Sequence, residues 1–149
     1  MPLILHFIFS FIATIGFAVL FNVPKKSLWY GGLAGGFGWT IYTYMMQQNF
    51  SGPMSNFTAS IIVAMFGEIF ARIDKKPVTL FVIPGIIPLV PGFGMYNSII
   101  HLLNDQFQQG MIISIETLFN AGAIALGIIV VSSIAKTLKV KPPIKDSSL

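Results

Sequence analysis

The sequence predicts an all-α integral membrane protein, a bundle of five transmembrane helices with its N-terminus outside and its C-terminus in the cytoplasm. Composition indicates the class, because hydrophobic residues make up 54% of the 149 positions and charged residues only 9%. A soluble domain normally carries about 25% charged residues. The apolar runs are also longer than the strands of a membrane barrel and lack their alternation, so the backbone groups in lipid must be satisfied within helices.

The basic residues predict the direction of each crossing. All nine fall in the first gap between apolar runs, the third gap and the C-terminal tail, whereas 47–53 and 104–110 contain none. Lys and Arg are retained preferentially in cytoplasmic loops, so the net charge of +4 is explained by topology and does not indicate a nucleic-acid partner. The nine residues are Lys25, Lys26, Arg72, Lys75, Lys76, Lys136, Lys139, Lys141 and Lys145.

The predicted spans form one transmembrane domain over 1–137, followed by a basic cytoplasmic tail over 138–149. Each span is close to or above the roughly 20 residues that cross a bilayer core. No basic residue precedes the first span, so we interpret it as a retained helix rather than a signal peptide. The spans cover about 3–21, 28–46, 54–71, 77–103 and 111–135.

The second span is rich in glycine, with small residues four positions apart in two registers, Gly31 with Gly35 and Gly32 with Gly36. Helices in lipid gain packing energy where small residues let their backbones approach closely, so we expect this helix to be covered by others. The fifth span repeats the pattern with Ala121, Gly122, Ala123, Ala125 and Gly127.

The third span contains Glu68 about one turn from its cytoplasmic end, four residues before Arg72. This spacing predicts an ion pair on one face of the helix. An ionisable group at membrane depth is also a functional candidate, because its burial is costly. Two interpretations remain open: a structural ion pair, or a role in proton coupling or substrate contact.

The fourth span cannot be an ordinary helix, because prolines and glycines interrupt it. Each interior proline removes a hydrogen-bond donor and clashes with the carbonyl four residues before it. We therefore expect the middle to be unwound and a second half-helix to begin near Gly92 to Gly94. Such backbone is tolerated in a membrane only where protein covers it or a watery cavity adjoins it. The alternative is a kinked helix buried by its neighbours. The interrupting residues are Pro84, Gly85, Pro88, Pro91, Gly92 and Gly94.

The predicted half-helix supplies the candidate site, since its N-terminus presents free N–H groups and a positive dipole end to an anionic solute. Tyr96 and Asn97 follow within the next turn, and Asn120 on the fifth span is a further polar candidate. Near the outer ends, Glu116 with His6 and His101 would pass a proton or release a substrate, or else be solvated at the interface. The candidate site residues are Pro84, Gly85, Pro88, Pro91, Gly92, Gly94, Tyr96, Asn97, Glu68, Arg72 and Asn120.

Other chemistry is not indicated. The chain has no cysteine, and its His and acidic residues lack metal-ligand spacing, so we expect neither a metal nor another cofactor. No nucleophile and base share a predicted depth with supporting spacing, which argues against an enzyme. Asn56-Phe57-Thr58 matches a glycosylation sequon, to which we attach no function.

Five features along the chain belong together, namely the runs 16–18, 21–24, 57–60 and 83–92 and the residue Tyr96. In this order they resemble the small, YjjB-like subunit of the threonine/serine exporter family of two-chain bacterial exporters. The resemblance implies a multi-pass protein of the bacterial cytoplasmic membrane that exports threonine and serine, or a dicarboxylate such as succinate, driven by an ion gradient. It also implies a larger partner chain, with homo-oligomer contacts possible. The alternative is a scaffold subunit that does not transport.

Overall fold

The structure is a computed structural model that describes residues 2–138, and all of its regular structure in that range is helical. The predicted all-α class is therefore confirmed. Of the predicted tail, residues 139–149 lie outside the described residues. The helices are α1 Leu3–Leu20, α2 Leu28–Gln47, α3 Gly52–Asp74, α4 Thr79–Ile86, α5 Gly92–Leu103 and α6 Phe107–Thr137, with short 3-10 turns at Lys25–Ser27 and Ile87–Leu89.

Polar residues in left-handed backbone conformations end several helices. Asn22, Asn49, Lys75 and Asp105 have φ between 52° and 62°, and each lies in a turn between helices. Asn and Asp tolerate this region better than other residues that have a Cβ, so three of these turns are locally encoded. At the start of α3, Pro53 occupies the first turn, where its missing N–H removes no helical bond.

α2 lies at the centre of the packing, against α1, α3 and α4, while α3 also packs against α6 and α5 packs mainly against α6. The core between α2, α3 and α4 is built from small and aromatic side chains, including Ala34, Ala59, Val63 and Phe81, which are fully buried. Small residues at these positions bring the backbones together, as expected where lipid supplies no hydrophobic drive for association.

The glycines of α2 make close contacts, as predicted. Gly36 lies against the ring of Phe7, Gly32 against Phe11, and Gly35 against Thr14, so this face of α2 receives the side chains of α1. A methyl group added at any of the three would overlap with these side chains. Only some of the small residues on α6 make close helix contacts. Gly127 packs against α3, whereas nothing lies within 4 Å of a Cβ at Gly122.

Three helices are long and apolar enough to cross a membrane by themselves, namely α1, α3 and α6. A bent pair, Thr79–Leu89 with Gly92–Leu103, adds a fourth candidate if it is one span. α2 is not in this set, because glycines and polar aromatic residues lower its mean hydropathy. The prediction of five crossings therefore still depends on the pattern of basic residues.

The turns that carry basic residues meet at one end of the bundle, called the basic end. The hydroxyl of Ser27, in the turn between α1 and α2, donates to the carboxylate of Asp74 at the end of α3. Lys136 in the last turn of α6 lies beside Val78 and Thr79. The described basic residues thus share one end, and the side of the membrane that this end faces remains a prediction.

The predicted fourth span is less unwound than expected. α4 continues through Pro84, a 3-10 turn covers Ile87–Leu89, and only Val90 and Pro91 separate that turn from α5, which starts at Gly92. The unwound part expected in the middle of the span is therefore limited to these two residues. A proline deprives a helix of one hydrogen bond, and here α4 is held by packing, since Gly85 fits closely against Val63. The two segments are bent by 46°.

Candidate functional site

A cavity of about 360 Å³ lies beside the break between the 3-10 turn and α5. We call it the break cavity. Its wall combines the backbone around the break with side chains from α2, α3 and α6, so four parts of the chain converge there. The lining residues are Trp39, Tyr42, Asn56, Pro88, Leu89, Val90, Pro91, Gly92, Phe93, Gly94, Asn97, Ile113, Glu116, Thr117 and Asn120.

The structure brings part of the predicted site together in this cavity. Asn97 on α5 and Asn120 on α6 lie in the wall, although they are distant in sequence. The break itself forms another part of the wall. The predicted residues that line the break cavity are Pro88, Pro91, Gly92, Gly94, Asn97 and Asn120.

The other predicted residues lie elsewhere. Pro84 and Gly85 are buried in the packing of α4, where Gly85 contacts Val63. Tyr96 is 64% exposed and is not part of the cavity wall. None of these three residues lies in the wall of the break cavity, so a role for them in solute binding stays a prediction.

Glu68 and Arg72 also lie outside the break cavity, in apolar grooves between α3 and α6 at the basic end. The predicted ion pair is confirmed, with 3.5 Å between Arg72 Nη2 and Glu68 Oε2. The Arg72 guanidinium also donates to the Glu68 carbonyl oxygen at 3.4 Å. Because the Arg72 side chain is 49% exposed, this pair contributes little to stability.

The first turn of α5 presents free backbone donors at the cavity wall. Gly92 N–H donates to the Val90 carbonyl at 2.7 Å, and Met95 N–H donates to the Pro91 carbonyl at 3.1 Å. The N–H groups of Phe93 and Gly94 therefore remain as the unpaired donors of this helix start. A Cβ on Gly92 would meet nothing within 4 Å, so an anion has room to approach the backbone there.

Two asparagines in the wall have buried, unpaired amide oxygens. Asn56 is 2% exposed, and its Nδ2 donates to the Gly52 carbonyl at 3.1 Å, but its Oδ1 has no partner. Asn120 Oδ1 is also buried without a partner, close to Gly52. An unpaired buried polar atom costs about 1–3 kcal/mol, so each such atom in a native fold calls for an explanation. Neither oxygen is open to the cavity as the side chains lie, so a polar ligand would reach these acceptors only after the amide groups turn toward it.

Aromatic side chains of α2 form a further part of the wall. The rings of Trp39 and Tyr42 lie 5.1 Å apart between centroids. Trp39 Nε1 donates to His6 Nδ1 of α1 at 3.4 Å, which fixes the indole beside the cavity. His6 thus approaches the site through Trp39, whereas His101 is hydrogen-bonded to Gln106 in the turn between α5 and α6.

Sequence reasoning missed several wall residues. Trp39 and Tyr42 were not among the candidate residues, and Asn56 was considered only as part of a sequon. Glu116 was considered only at the outer end, as a residue that passes a proton, releases a substrate or is solvated. The available signal was a polar side chain within an apolar span, which Asn56 and Glu116 both provide. Their convergence depends on the relative rotation of α3 and α6, which a sequence does not reveal.

These features define a helical integral membrane protein with a polar cavity at an interrupted helix. Residues 6–134 match the family described as "Threonine/Serine exporter, ThrE". The chain belongs to this family, so it is a membrane protein of a transporter family, which is not a class of enzymes. No solved structure matches the chain. The predicted family is confirmed, and the assignment to the small subunit remains a prediction.

Proposed function

We propose that this chain is a membrane subunit of a secondary exporter in the bacterial cytoplasmic membrane. It moves threonine, serine or a related small carboxylate, including dicarboxylates such as succinate, out of the cytoplasm and is driven by an ion gradient. In this proposal the solute binds in the break cavity during its passage. The observation that carries the proposal is the pair of buried, unpaired amide oxygens of Asn56 and Asn120 in the wall of that cavity.

The size and chemistry of the cavity suit a small polar solute. Its volume of about 360 Å³ falls at the lower end of the range of roughly 300–1,000 Å³ typical of ligand pockets. The free N–H groups at the start of α5 are of the kind that bind substrate carboxylates in transporters with interrupted helices. Asn56, Asn97 and Asn120 add side-chain donors and acceptors that can orient the solute.

The proposal includes a larger partner chain of the same family. Only 17% of the apolar window of α1 and 22% of that of α6 are buried within this chain. Both helices therefore have broad faces for lipid or for further helices. A solute path through the membrane needs walls on all sides, and the break cavity is open on part of its surface. Helices of the partner chain would complete those walls.

The test is efflux of radiolabelled threonine and serine from vesicles that contain the chain together with its partner. The variants Pro88→Ala and Pro91→Ala change the backbone at the break, so we expect efflux to fall while the amount of protein in the vesicles is unchanged. Gly122→Ala is the matched control, because its Cβ would enter open space. Unchanged efflux in both proline variants would contradict a solute site at the break.

The competing hypothesis is a scaffold subunit that stabilises the partner but contacts no solute. The same vesicles distinguish the two hypotheses. If the partner chain alone exports as fast as the pair, this chain is a scaffold.

A further inference from the structure

We propose that Glu116 selects the charge of the solute, because its carboxylate binds the ammonium group of an amino acid in the break cavity. The cavity then accepts zwitterions that carry a primary ammonium group and rejects dicarboxylates. This inference rests on the proposed function, since it names the solute class of the same cavity.

The charges around the cavity favour a zwitterion. Glu116 is the one acidic residue in the described wall, and neither lysine nor arginine contributes to it. The start of α5 carries about half a positive charge, which suits one carboxylate. A dicarboxylate bound there would bring its second negative charge toward Glu116 with no cation to offset the repulsion. Like charges placed together in a binding site are an effective means of rejection.

The free acceptors in the wall also match an ammonium group. An ammonium group has three N–H donors and no acceptor. Asn56 and Asn120 each have a buried amide oxygen without a donor, and the Glu116 carboxylate adds further acceptors. Because a carboxylate offers no donors, a second carboxylate on the solute would leave both amide oxygens unpaired.

The aromatic part of the wall strengthens this preference. The rings of Trp39 and Tyr42 lie side by side in the wall that also contains Glu116. Faces of Trp and Tyr attract cations and do not attract anions. The same wall therefore provides two independent features that stabilise a cationic group.

Glu116 is free to bind a ligand. Within residues 2–138 the single ion pair between side chains joins Arg72 and Glu68, at the basic end. Glu116 has no salt-bridge partner and no side-chain hydrogen bond in that part of the chain. Its charge is therefore not already neutralised by an ion pair.

The test measures solute binding through the fluorescence of Trp39, in the full-length chain purified as a complex with a partner chain whose tryptophans have been replaced. The chain has two tryptophans, so Trp29→Phe leaves Trp39 as the reporter. The probes are serine, glycerate, ethanolamine and succinate. Glycerate replaces the ammonium group of serine by a hydroxyl, and ethanolamine lacks its carboxylate. We expect serine to bind most tightly and glycerate and succinate to bind at least about tenfold more weakly.

Glu116→Gln should reduce the ratio of serine affinity to glycerate affinity by about tenfold, and Glu116→Asp should retain most of it. The control is Asp105→Asn, which removes the same charge from an exposed turn where φ is 59°, a conformation that asparagine tolerates. A wild-type chain that binds succinate as tightly as serine would overturn the inference but leave the proposed export function intact. So would an unchanged ratio in Glu116→Gln. If none of the probes alters Trp39 fluorescence, both the inference and the solute site at the break are wrong.

Discussion

The Ser27 hydroxyl donates a hydrogen bond to the Asp74 carboxylate and so joins the turn between α1 and α2 to the end of α3. Ser27 is fully buried there. The bond places the Asp74 carboxylate between two turns that each contain a pair of lysines, at 25–26 and 75–76. The hydrogen bond thus links the start of α2 to the end of α3 at the basic end.

Removing this bond should destabilise the basic end. We expect Ser27→Ala to lower the free energy of unfolding by about 1–3 kcal/mol, because a hydrogen bond to a charged group is lost in a buried position. Denaturation of the purified chain in detergent measures the change. Ser133→Ala, at an exposed position on α6, should alter stability by less than about 0.5 kcal/mol. Equal effects of the two variants would contradict a structural role for the bond.

Cysteine labelling tests the predicted topology. Because the chain has no cysteine, a single introduced one reports its own position without a background signal. A membrane-impermeant maleimide should label Gln48→Cys in intact cells and Lys76→Cys only after the cells are opened, because basic loops face the cytoplasm. Both positions are exposed, so accessibility within the fold does not limit the reaction. Labelling of Lys76→Cys in intact cells would reverse the orientation.

The contact between Gly35 and Thr14 predicts a steric effect. Gly35→Ala would place a methyl group against the Thr14 side chain, so we expect a loss of about 1–3 kcal/mol from overpacking. Gly16→Ala is the matched control, since its Cβ meets nothing within 4 Å. Adding Thr14→Ala to Gly35→Ala should recover part of the loss. Additive effects in this double-mutant cycle would show that the two side chains do not meet.

Asn56 should be a residue at which function and stability conflict. Asn56→Leu keeps a similar volume and removes the buried, unpaired Oδ1. We therefore expect unfolding free energy to stay the same or rise, while solute export falls at least about tenfold. Thr58→Val on the same helix is the control, because the Thr58 hydroxyl bonds only the Met54 carbonyl of its own helix. Normal export by Asn56→Leu would argue against solute contact at this residue.

The parts of the fold that depend on local chemistry could be predicted from the sequence. The ion pair of Glu68 with Arg72 needs only helical spacing, and the close packing of Gly35 needs only the absence of a side chain. The start of α5 at Gly92 likewise follows from Pro91 before it. In each case neighbours along the chain decide the outcome.

The parts of the fold and of the candidate site that depend on tertiary packing could not be predicted as well from the sequence. Pro84 was expected to unwind its helix, but contacts of Gly85 with α3 hold that helix together. Asn56 and Glu116 lie 60 positions apart (116 − 56), and their meeting in one wall depends on how α3 and α6 are rotated against each other. Hydrophobic periodicity could not predict that rotation, because both helices carry apolar residues on all faces, as is usual in a membrane bundle.

The glycine content of α2 has a consequence for biogenesis. Buried glycines, five in all, let this helix fit among its neighbours, but they also leave it less soluble in lipid than α1 or α3. If α2 crosses the bilayer, it cannot partition there alone and must leave the translocon in the company of adjacent segments. Membrane insertion and tertiary assembly would then be one coupled event for the first half of the chain. If translation stopped after α2, this helix would not be stably inserted, because the segments that pack against it would be missing.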